Sequence, residues 1–278
     1  MFRLIIVFIL ALFSLPGIAV AQVTAGDDAP LRLGRFEYQD KIWYGFLSYG
    51  GMHQLDRSYF DRASRWTGKV IPLEEIRMLV PVRPGKIISI ARNYKKQGGK
   101  KSKGLKFFTK RSSAVIATGE KIVLAPNSTN LHYEGEMVIV IGDRAKDISA
   151  REAENYIFGV TVGNDVTERE HLPEPSDLLA AKGSDTQAPL GPWIVPGLSY
   201  DRLGLITRLN GKVVQKTSTR RMVFSVGEIV AILSRHMTLE PGDVIYTGTP
   251  GKTRALKPGD KIEISLEGVG VLKNTVAE

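Results

Sequence analysis

Cysteine is absent from this chain of 278 residues, of which 43% are hydrophobic, and the formal net charge is +9. The length is sufficient for a large hydrophobic core and therefore for an enzyme. Without cysteine the chain can form no disulfide framework, no thiolate metal site and no cysteine nucleophile. Its stability must therefore come from packing alone.

The first residues, MFRLIIVFILALFSLPGIAVAQ, have the composition of an export signal. Arg3 precedes an apolar stretch, and Ala19 and Ala21 form the A-x-A arrangement of a cleavage site. We predict a signal peptide over residues 1–21 and a periplasmic or secreted mature protein that has no membrane attachment after cleavage. The alternative is an uncleaved membrane anchor, which the short apolar core and the Pro16-Gly17 break disfavour.

Residues 22–82 are predicted to form a small N-terminal domain. The segment RFEYQDKIWYGFLSYGGMHQL alternates in the manner of a short, aromatic β-meander. LEEIRM predicts a short helix, and a proline-rich connection then leads to a strand from Lys86 to Ala91. We place the boundary near Arg83 and assign residues 83–278 to a second, larger domain.

A lysine-rich segment follows, NYKKQGGKKSKGLKFFTK, with seven lysines between Lys95 and Lys110. Basic runs can bind nucleic acid. The glycines at positions 98, 99 and 104 instead indicate a solvated loop, and an exported protein rarely meets nucleic acid. We predict that the segment attracts small anions and that the protein does not bind nucleic acid.

The remainder of the chain is rich in strand patterns and poor in helix patterns. Seven further segments have strand composition between Gly, Pro and Asn turns: KIVLAPNS, EMVIVIG, YIFGVTVGND, PWIVPG, LITRLNGKVV, DVIYTGTP and KIEISLEGVGVL. Helices are predicted at SAREAENY, where Ser149 and Glu152 match a capping box, and at SVGEIVAILSRHM. This pattern predicts a β-rich α+β fold and not a doubly wound sheet.

Two carboxylates lie two positions apart in LHYEGEMVIVIG, at the entrance to an apolar run. In a strand Glu134 and Glu136 project to the same face, and Gly135 leaves the opposite face open. Asp165 ends the apolar run YIFGVTVGN. Three carboxylates so placed favour a hard divalent ion such as Mg²⁺, Mn²⁺ or Ca²⁺. The alternative from spacing alone is a solvated strand end that lysines balance.

Several longer blocks extend this local pattern. YEGEMVIVIG, FGVTVGNDVTERE, AAKGSDTQAPLGPWIV, LNGKVVQ, FSVGEIVAILSRHMTLEPGDVIYTGTP and LKPGDKIEISLEGVGVLKN follow one another in an order and spacing that resemble the fumarylacetoacetate hydrolase (FAH) family. The resemblance spans roughly residues 86–274. It implies the mixed β-sandwich roll of that family and a homodimer.

The resemblance also implies roles for individual residues. Glu134, Glu136 and Asp165 correspond to the ligands of Mg²⁺ or Mn²⁺ in the family. Lys182 corresponds to a catalytic lysine that faces the metal-bound substrate. Arg169 is expected to bind a substrate carboxylate, because its planar guanidinium can contact one bidentately. Family reactions are hydrolysis of acylpyruvates and fumarylacetoacetate, decarboxylation of oxaloacetate-like acids and keto–enol isomerisation of dienedioates.

The chain departs from the family at the position of the hydrolytic base. Hydrolytic members carry G-x-N-Y-x-x-H-x-x-E, in which His and Glu activate water. Here the segment reads ARNYKKQGGK, so the candidate catalytic position is Gln97 and its neighbour is Lys100. An amide cannot act as the base near neutral pH. Tyr94, which is retained, and Thr249 of the T-G-T-P turn are the other expected substrate contacts.

None of the four histidines replaces this base convincingly. His132 precedes Glu134 by two positions and is expected on the same strand face, and His171 follows Arg169. His236 ends a predicted helix, where a cation suits the helix dipole, and His53 lies in the N-terminal segment.

Three interpretations remain from the sequence. The first is a metal-dependent enzyme that acts on a small anionic β-dicarbonyl or oxo acid through an enolate, as C–C hydrolase, decarboxylase or isomerase. The second is a metal and oxo-acid binding protein that has lost turnover. The third is a structural role for the basic surface, which no motif supports.

Overall fold

The computed structural model describes residues 30–94, 104–125, 128–172 and 178–278. The predicted signal peptide, Gln97 and Lys100 lie outside the described residues. In the part of the chain that the structure describes, no helix is long and apolar enough to cross a membrane.

Strands dominate the described chain. In chain order they are β1 (Arg32–Tyr38), β2 (Lys41–Ser48), β3 (Gly51–Leu55), β4 (Trp66–Ile71), β5 (Arg77–Met78), β6 (Ile87–Ala91), β7 (Lys106–Lys110), β8 (Val115–Ile116), β9 (Lys121–Ile122), β10 (Leu131–His132), β11 (Gly135–Ile141), β12 (Ile157–Asn164), β13 (Thr167–Glu168), β14 (Ala188–Val195), β15 (Gly204–Leu209), β16 (Lys212–Ser218), β17 (Val244–Tyr246), β18 (Lys261–Leu266) and β19 (Gly270–Val276). The α-helices are α1 (Leu178–Lys182) and α2 (Val226–His236). The predicted β-rich α+β class is confirmed.

The strands form two main sheets. The larger has the order β4-β3-β2-β1-β14-β12-β11-β17-β6-β7, with β5 beside β1 and β8 beside β14. The second has the order β16-β15-β18-β19-β9, and β10 pairs with β13 in a separate ribbon. The predicted N-terminal meander is present as β1 to β4, and it extends the larger sheet where Leu33 of β1 pairs with Ile194 of β14. The N-terminal strands and the later strands therefore share one sheet.

Strand β11 lies at the centre of the molecule and is buried on both faces. Met137, Ile139 and Ile141 pack into the core against α2 and the smaller sheet. Val138 and Val140 point the other way, into a cluster with residues of the N-terminal strands. A strand covered on both faces has an unbroken apolar run instead of an alternating one, which explains the sequence EMVIVI.

Helix α2 confirms the prediction for SVGEIVAILSRHM. Ser225 and Glu228 form the reciprocal capping box, in which the Ser225 side chain accepts from the Glu228 backbone N–H and the Glu228 side chain accepts from the Ser225 backbone N–H. Ile229, Val230 and Leu233 on one face of the helix are fully buried. Capping and an apolar face thus agree, and the helix forms where both signals coincide.

Two other helix predictions are wrong. SAREAENY forms turns and a short 3-10 helix, Ala153–Tyr156, although Glu152 accepts from the Ser149 backbone N–H as a capping box would require. The Tyr156 carbonyl accepts from Gly142 N–H at 2.8 Å, which draws the chain into β12 before an α-helix can develop. LEEIRM forms only a 3-10 turn, Leu73–Glu75, before β5. Helix α1 was not predicted.

Candidate active site

The three predicted acidic ligands lie together at one end of β11 and β12. Glu134 immediately precedes β11, Glu136 is its second residue, and Asp165 immediately follows β12. The Asp165 backbone N–H donates to the Glu134 carbonyl at 2.8 Å. One carboxylate oxygen of each acid lies within 4.8 Å of the others. Two adjacent strands therefore deliver three carboxylates to one point, as the period of two and the end of the second apolar run predict.

Gly135 allows the second sheet to approach this point closely. A Cβ at this position would lie 2.2 Å from Thr207 Oγ1 and 3.1 Å from Ile264 Cγ2. Residues of β15 and β18 thus cover the strand face at Gly135 that lies opposite the acids. The prediction that Gly135 leaves this face open is wrong. Glycine is required here because the side chains of Thr207 and Ile264 pack directly against the β11 backbone and leave no room for a Cβ.

We expect Gly135→Ala to destabilise the fold by about 1–3 kcal/mol through overpacking. Urea unfolding monitored by circular dichroism measures this loss. Gly104→Ala is the matched control, because a Cβ there meets nothing within 4 Å. Adding Thr207→Ala to Gly135→Ala should recover part of the lost stability. Equal stability of Gly135→Ala and Gly104→Ala would contradict this account.

Two buried lysines pair with Glu134 and Asp165. Lys182, at the end of α1, lies with Nζ 2.8 Å from Glu134 Oε2 and 3.0 Å from Asp165 Oδ2, and it also donates to Thr167 Oγ1. Lys110, the last residue of β7, lies with Nζ 2.6 Å from Asp165 Oδ1 and donates to the Val166 carbonyl at 3.1 Å. The Lys110 side chain is fully buried. The solvated-loop interpretation is therefore wrong for this last lysine of the basic segment.

The charges in this cluster respond to burial and to one another. Burial opposes ionisation of Asp165, but Lys110 and Lys182 lower the pKa of its carboxyl. Burial opposes the charged form of Lys182, yet Asp165 and Glu134 outweigh burial and raise the pKa of this ammonium. Burial lowers the pKa of Lys110, and Asp165 offsets this only in part. Lys182 is therefore the more firmly protonated of the two lysines.

Arg169 contacts the cluster from its exposed side. Its Nη2 lies 3.1 Å from Glu134 Oε1 and donates to Thr253 Oγ1 at 2.9 Å. Thr253 Oγ1 also lies 2.8 Å from His132 Nδ1, and the other ring nitrogen of His132 lies 2.8 Å from Asn130 Oδ1. Arg169, predicted to bind a substrate carboxylate, is therefore held at the edge of the site while 36% of its side chain stays exposed.

His132 is part of this support and not of the acidic strand. It ends β10, whereas β11 begins at Gly135, so His132 and Glu134 do not share one continuous strand. Burial, with a smaller effect of Arg169, lowers the pKa of His132 to about 4. The imidazole is therefore neutral at pH 7, and its two nitrogens serve one as donor and one as acceptor between Thr253 and Asn130.

Glu136 differs from the other two acids in its surroundings. It is 1% exposed and accepts a hydrogen bond from the Gly248 backbone N–H at 2.7 Å. Among the described residues, no lysine, arginine or histidine forms an ion pair with it. Burial, with the charges of Asp165 and Glu134, raises the pKa of Glu136 well above its usual range. A buried carboxylate beside two others, without a counter-charge, fits a divalent cation as the missing partner.

Tyr94 and Thr249 lie around Glu136. The Tyr94 hydroxyl is buried without a hydrogen-bond partner among the described residues, and burial together with the Glu136 charge raises its pKa. Thr249 donates to the Gly135 carbonyl at 3.0 Å and accepts from Gln215 Nε2 at 3.1 Å. With respect to the described residues, the Tyr94 hydroxyl near the acids is therefore available to a ligand, whereas Thr249 is held in a backbone contact.

Three contributors to this site were not predicted from sequence: Lys110, Thr253 and the Gly248 N–H. Lys110 is the last residue of the strand KFFTK, and this position at a strand end was the sequence signal that could have identified it as a site residue. Gly248 has φ +102, and a Cβ there would lie 2.9 Å from Asn93 Cβ, so the turn that points its N–H at Glu136 needs glycine. Nothing in the local sequence marks Thr253.

Comparison with known proteins places the chain in a family. Residues 86–277 match the family described as fumarylacetoacetate (FAA) hydrolase C-terminal, and residues 31–81 match the one described as Rv2993c-like, N-terminal. An uncharacterized protein of Archaeoglobus fulgidus is 37% identical over 250 residues, with 88% of this chain and 96% of the relative covered. The mitochondrial oxaloacetate tautomerase Fahd2a of Rattus norvegicus is 35% identical over 223 residues, with 74% of this chain and 71% of the relative covered.

A solved structure supports the same family assignment. The crystal structure of 2-hydroxyhepta-2,4-diene-1,7-dioate isomerase from Mycobacterium marinum matches with a TM-score of 0.83 at 35% identity, covering 89% of this chain and 98% of that one. The sequence, the fold and the carboxylate cluster support the same family assignment. The chain belongs to the fumarylacetoacetate hydrolase family, and its site fits an oxo-acid enzyme that depends on a divalent metal.

Proposed function

We propose that this protein interconverts the keto and enol forms of a small dicarboxylic 2-oxo acid, with Mg²⁺ or Mn²⁺ bound by Glu134, Glu136 and Asp165. The observation that carries the proposal is the buried Glu136, which faces two other acids and has no cation partner among the described residues. The chain is similar to a protein named oxaloacetate tautomerase and to one named 2-hydroxyhepta-2,4-diene-1,7-dioate isomerase, and a tautomerase moves a proton next to a carbonyl.

The three acids supply hard oxygen donors, which Mg²⁺ and Mn²⁺ prefer. When bound, such an ion stabilises negative charge that develops on the oxygen of a 2-oxo group. In the reaction the C3–H bond breaks, a C2=C3 bond forms, and the C2 oxygen gains a proton; no atom enters or leaves overall. The protein must therefore hold the oxo acid and move a single proton.

The chain's own side chains suit these tasks. Lys182 Nζ retains its proton because Asp165 and Glu134 raise its pKa, so it can donate a hydrogen bond or a proton to a substrate oxygen. The Tyr94 hydroxyl stays neutral because its pKa is raised, and it can donate a hydrogen bond. Arg169, which is partly exposed and held by Thr253, can turn its free guanidinium edge to a substrate carboxylate.

Tautomerisation is favoured over hydrolysis because it needs no activated water. Hydrolytic members of the family use a His–Glu pair, and this chain has Gln97 and Lys100 at those positions. Loss of a general base costs about 10²- to 10⁴-fold in rate. A reaction that does not consume water has no need of the water-activating step that this pair performs.

The test follows the enol absorbance of oxaloacetate with purified protein and Mg²⁺ or Mn²⁺, with pyruvate measured in parallel. We expect rapid loss of the enol signal, no matching rise in pyruvate, and abolition by a chelator. Pyruvate that rises with the signal loss would identify a decarboxylase instead. Acetylpyruvate serves as the hydrolysis substrate, and rapid release of acetate from it would contradict the proposal.

Metal-dependent binding of oxaloacetate without any turnover would identify the second sequence-based interpretation, a binding protein. Isothermal titration with a non-reacting analogue such as oxalate measures that binding separately. Export and homodimer formation remain predictions, and neither outcome of these assays depends on them.

Restoring the missing pair tests the assignment of Gln97 and Lys100. We expect Gln97→His with Lys100→Glu to raise acetylpyruvate hydrolysis by up to about 10²-fold, because the base that activates water returns. Gln97→Asn with Lys100→Glu is the matched control, since it changes the same two positions without supplying a base. Equal hydrolysis by the two double variants would show that these positions do not determine the reaction.

A further inference from the structure

A cavity lies between the N-terminal strands and the segment that follows β7. Its volume is about 550 Å³. Arg35 and Arg77 line it from β1 and β5, Arg83 lines it from the connection, and Ser112 and Glu120 line it from the later segment. None of the candidate active-site residues lines this cavity.

Arg35 is the unusual member of this cavity. It is 4% exposed, and its Nη1 donates to the Val80 carbonyl at 3.3 Å. Among the described residues no carboxylate forms an ion pair with it. Burial, with the charge of Arg83, lowers the pKa of Arg35, and only the phenols of Tyr44 and Tyr59 oppose this effect. The guanidinium therefore lies in the cavity wall without a carboxylate partner among the described residues, and an anion in the cavity would supply its counter-charge.

The surrounding charges do not supply that counter-ion. Arg77 contacts Glu37, and its Nη1 lies 3.9 Å from Glu120 Oε1. Glu120 also accepts from the Ala117 backbone N–H at 2.6 Å. The lining thus contains one acid, which lies beside Arg77, and three arginines. The cavity therefore carries a net positive charge.

The rest of the lining is apolar. Its apolar residues are Ile42, Leu79, Val80, Pro84, Val115 and Ala117. An inorganic anion would satisfy the arginines but would leave this surface uncovered. An organic anion with a hydrophobic body would contact both kinds of lining.

We propose that this cavity is a binding site for a small organic carboxylate with an apolar body, held by Arg35 and Arg83. A carboxylate matches the planar guanidinium, and charge-assisted hydrogen bonds of this kind are the stronger ones. The ligand contacts β1 and β5 on one side of the cavity and the segment that follows β7 on the other. Its binding therefore stabilises the attachment of the N-terminal strands.

The test uses benzoate as the probe, with the full-length protein freed of divalent ions on a chelating resin. Benzamide is the neutral control of the same shape, and inorganic phosphate is the anion without an apolar body. We expect a saturable rise in melting temperature with benzoate, a smaller one with phosphate and none with benzamide. Equal effects of benzoate and benzamide would overturn the proposal.

Arginine variants locate the effect. Arg83→Gln removes an exposed lining residue, and we expect it to weaken benzoate binding about tenfold in isothermal titration, as for loss of a charged hydrogen-bond partner. Arg221→Gln, an exposed arginine outside the cavity, should leave the affinity unchanged. Arg35→Gln should abolish binding if it folds, and Arg83→Gln decides the question if it does not. Unchanged affinity in Arg83→Gln would refute the site.

Discussion

Replacing Glu136 by glutamine should abolish the rise in melting temperature that we expect Mg²⁺ or Mn²⁺ to produce in the wild-type protein. Glu136 is the buried acid that has no cation partner within the described parts of the chain, so it gains most from a bound ion. We expect metal affinity to fall at least about 100-fold, because even changes beyond the direct ligands cost 10- to 100-fold. Enol turnover should fall by about 10²- to 10³-fold, as for loss of a preorganised electrostatic contact.

The same substitution should leave the metal-free protein as stable as wild type or more stable. A buried amide costs less than a buried carboxylate that lacks a counter-charge. The Gly248 N–H retains an oxygen acceptor, since glutamine has the same shape. Opposite changes in the metal-free and the metal-loaded protein distinguish a ligand from a residue that merely supports the fold.

Glu154→Gln is the matched control for this experiment, because Glu154 is exposed and lies outside the cluster. Thermal unfolding with and without metal, together with isothermal titration of Mn²⁺, measures the effects. A metal-induced stabilisation that survives in Glu136→Gln would remove the basis of the proposed chemistry.

Replacing Lys110 by methionine should destabilise the fold by about 3–5 kcal/mol, the cost of removing one partner from a buried ion pair. The Lys110 side chain is fully buried against Asp165, whose side chain is 3% exposed. Methionine fills much of the volume, so the loss reports mainly the uncompensated carboxylate. Asp165 retains Lys182, which keeps the effect below that of a fully isolated charge.

Lys106→Met provides the matched control, because Lys106 lies on the same strand and is exposed. Urea unfolding in metal-free buffer should show a change within about 0.5 kcal/mol for this variant. The double variant Lys110→Met with Asp165→Asn should be more stable than Lys110→Met alone, since the buried charge is gone. If the double variant is less stable than wild type by the sum of the losses in Lys110→Met and Asp165→Asn, the two residues do not interact as the structure indicates.

The helix predictions show which local signals were sufficient. At Ser225 and Glu228 the capping box precedes a segment with a buried apolar face, and the helix forms. At Ser149 and Glu152 half of the same motif is present, but the Tyr156 carbonyl pairs with Gly142 and the chain enters β12. The long-range strand pairing outweighs the local preference. A capping signal alone therefore does not fix a helix.

The basic segment shows the limit of composition. Seven lysines among glycines indicate solvent exposure, and Lys106 is exposed as expected. Lys110 is buried because Asp165, 55 positions later in the chain, lies beside it. A charged lysine is tolerated in a core when an acidic side chain lies beside it. The position of that acid depends on the order of the strands in the sheet.

The sequence alone indicated the β-rich class and the three acids, because strand periodicity and unbroken apolar runs are local properties of the chain. The family was indicated by the order and spacing of its longer motif blocks, which resemble those of known members. The sequence did not determine that Lys110 and Lys182 pair with Asp165, that Arg169 contacts Glu134, or that Glu136 lacks a cation partner in the described structure. These contacts join β7, β11, β12 and α1, which are distant in sequence. Only the folded sheets bring them within a few ångströms of one another, where burial makes each charge depend on its neighbours.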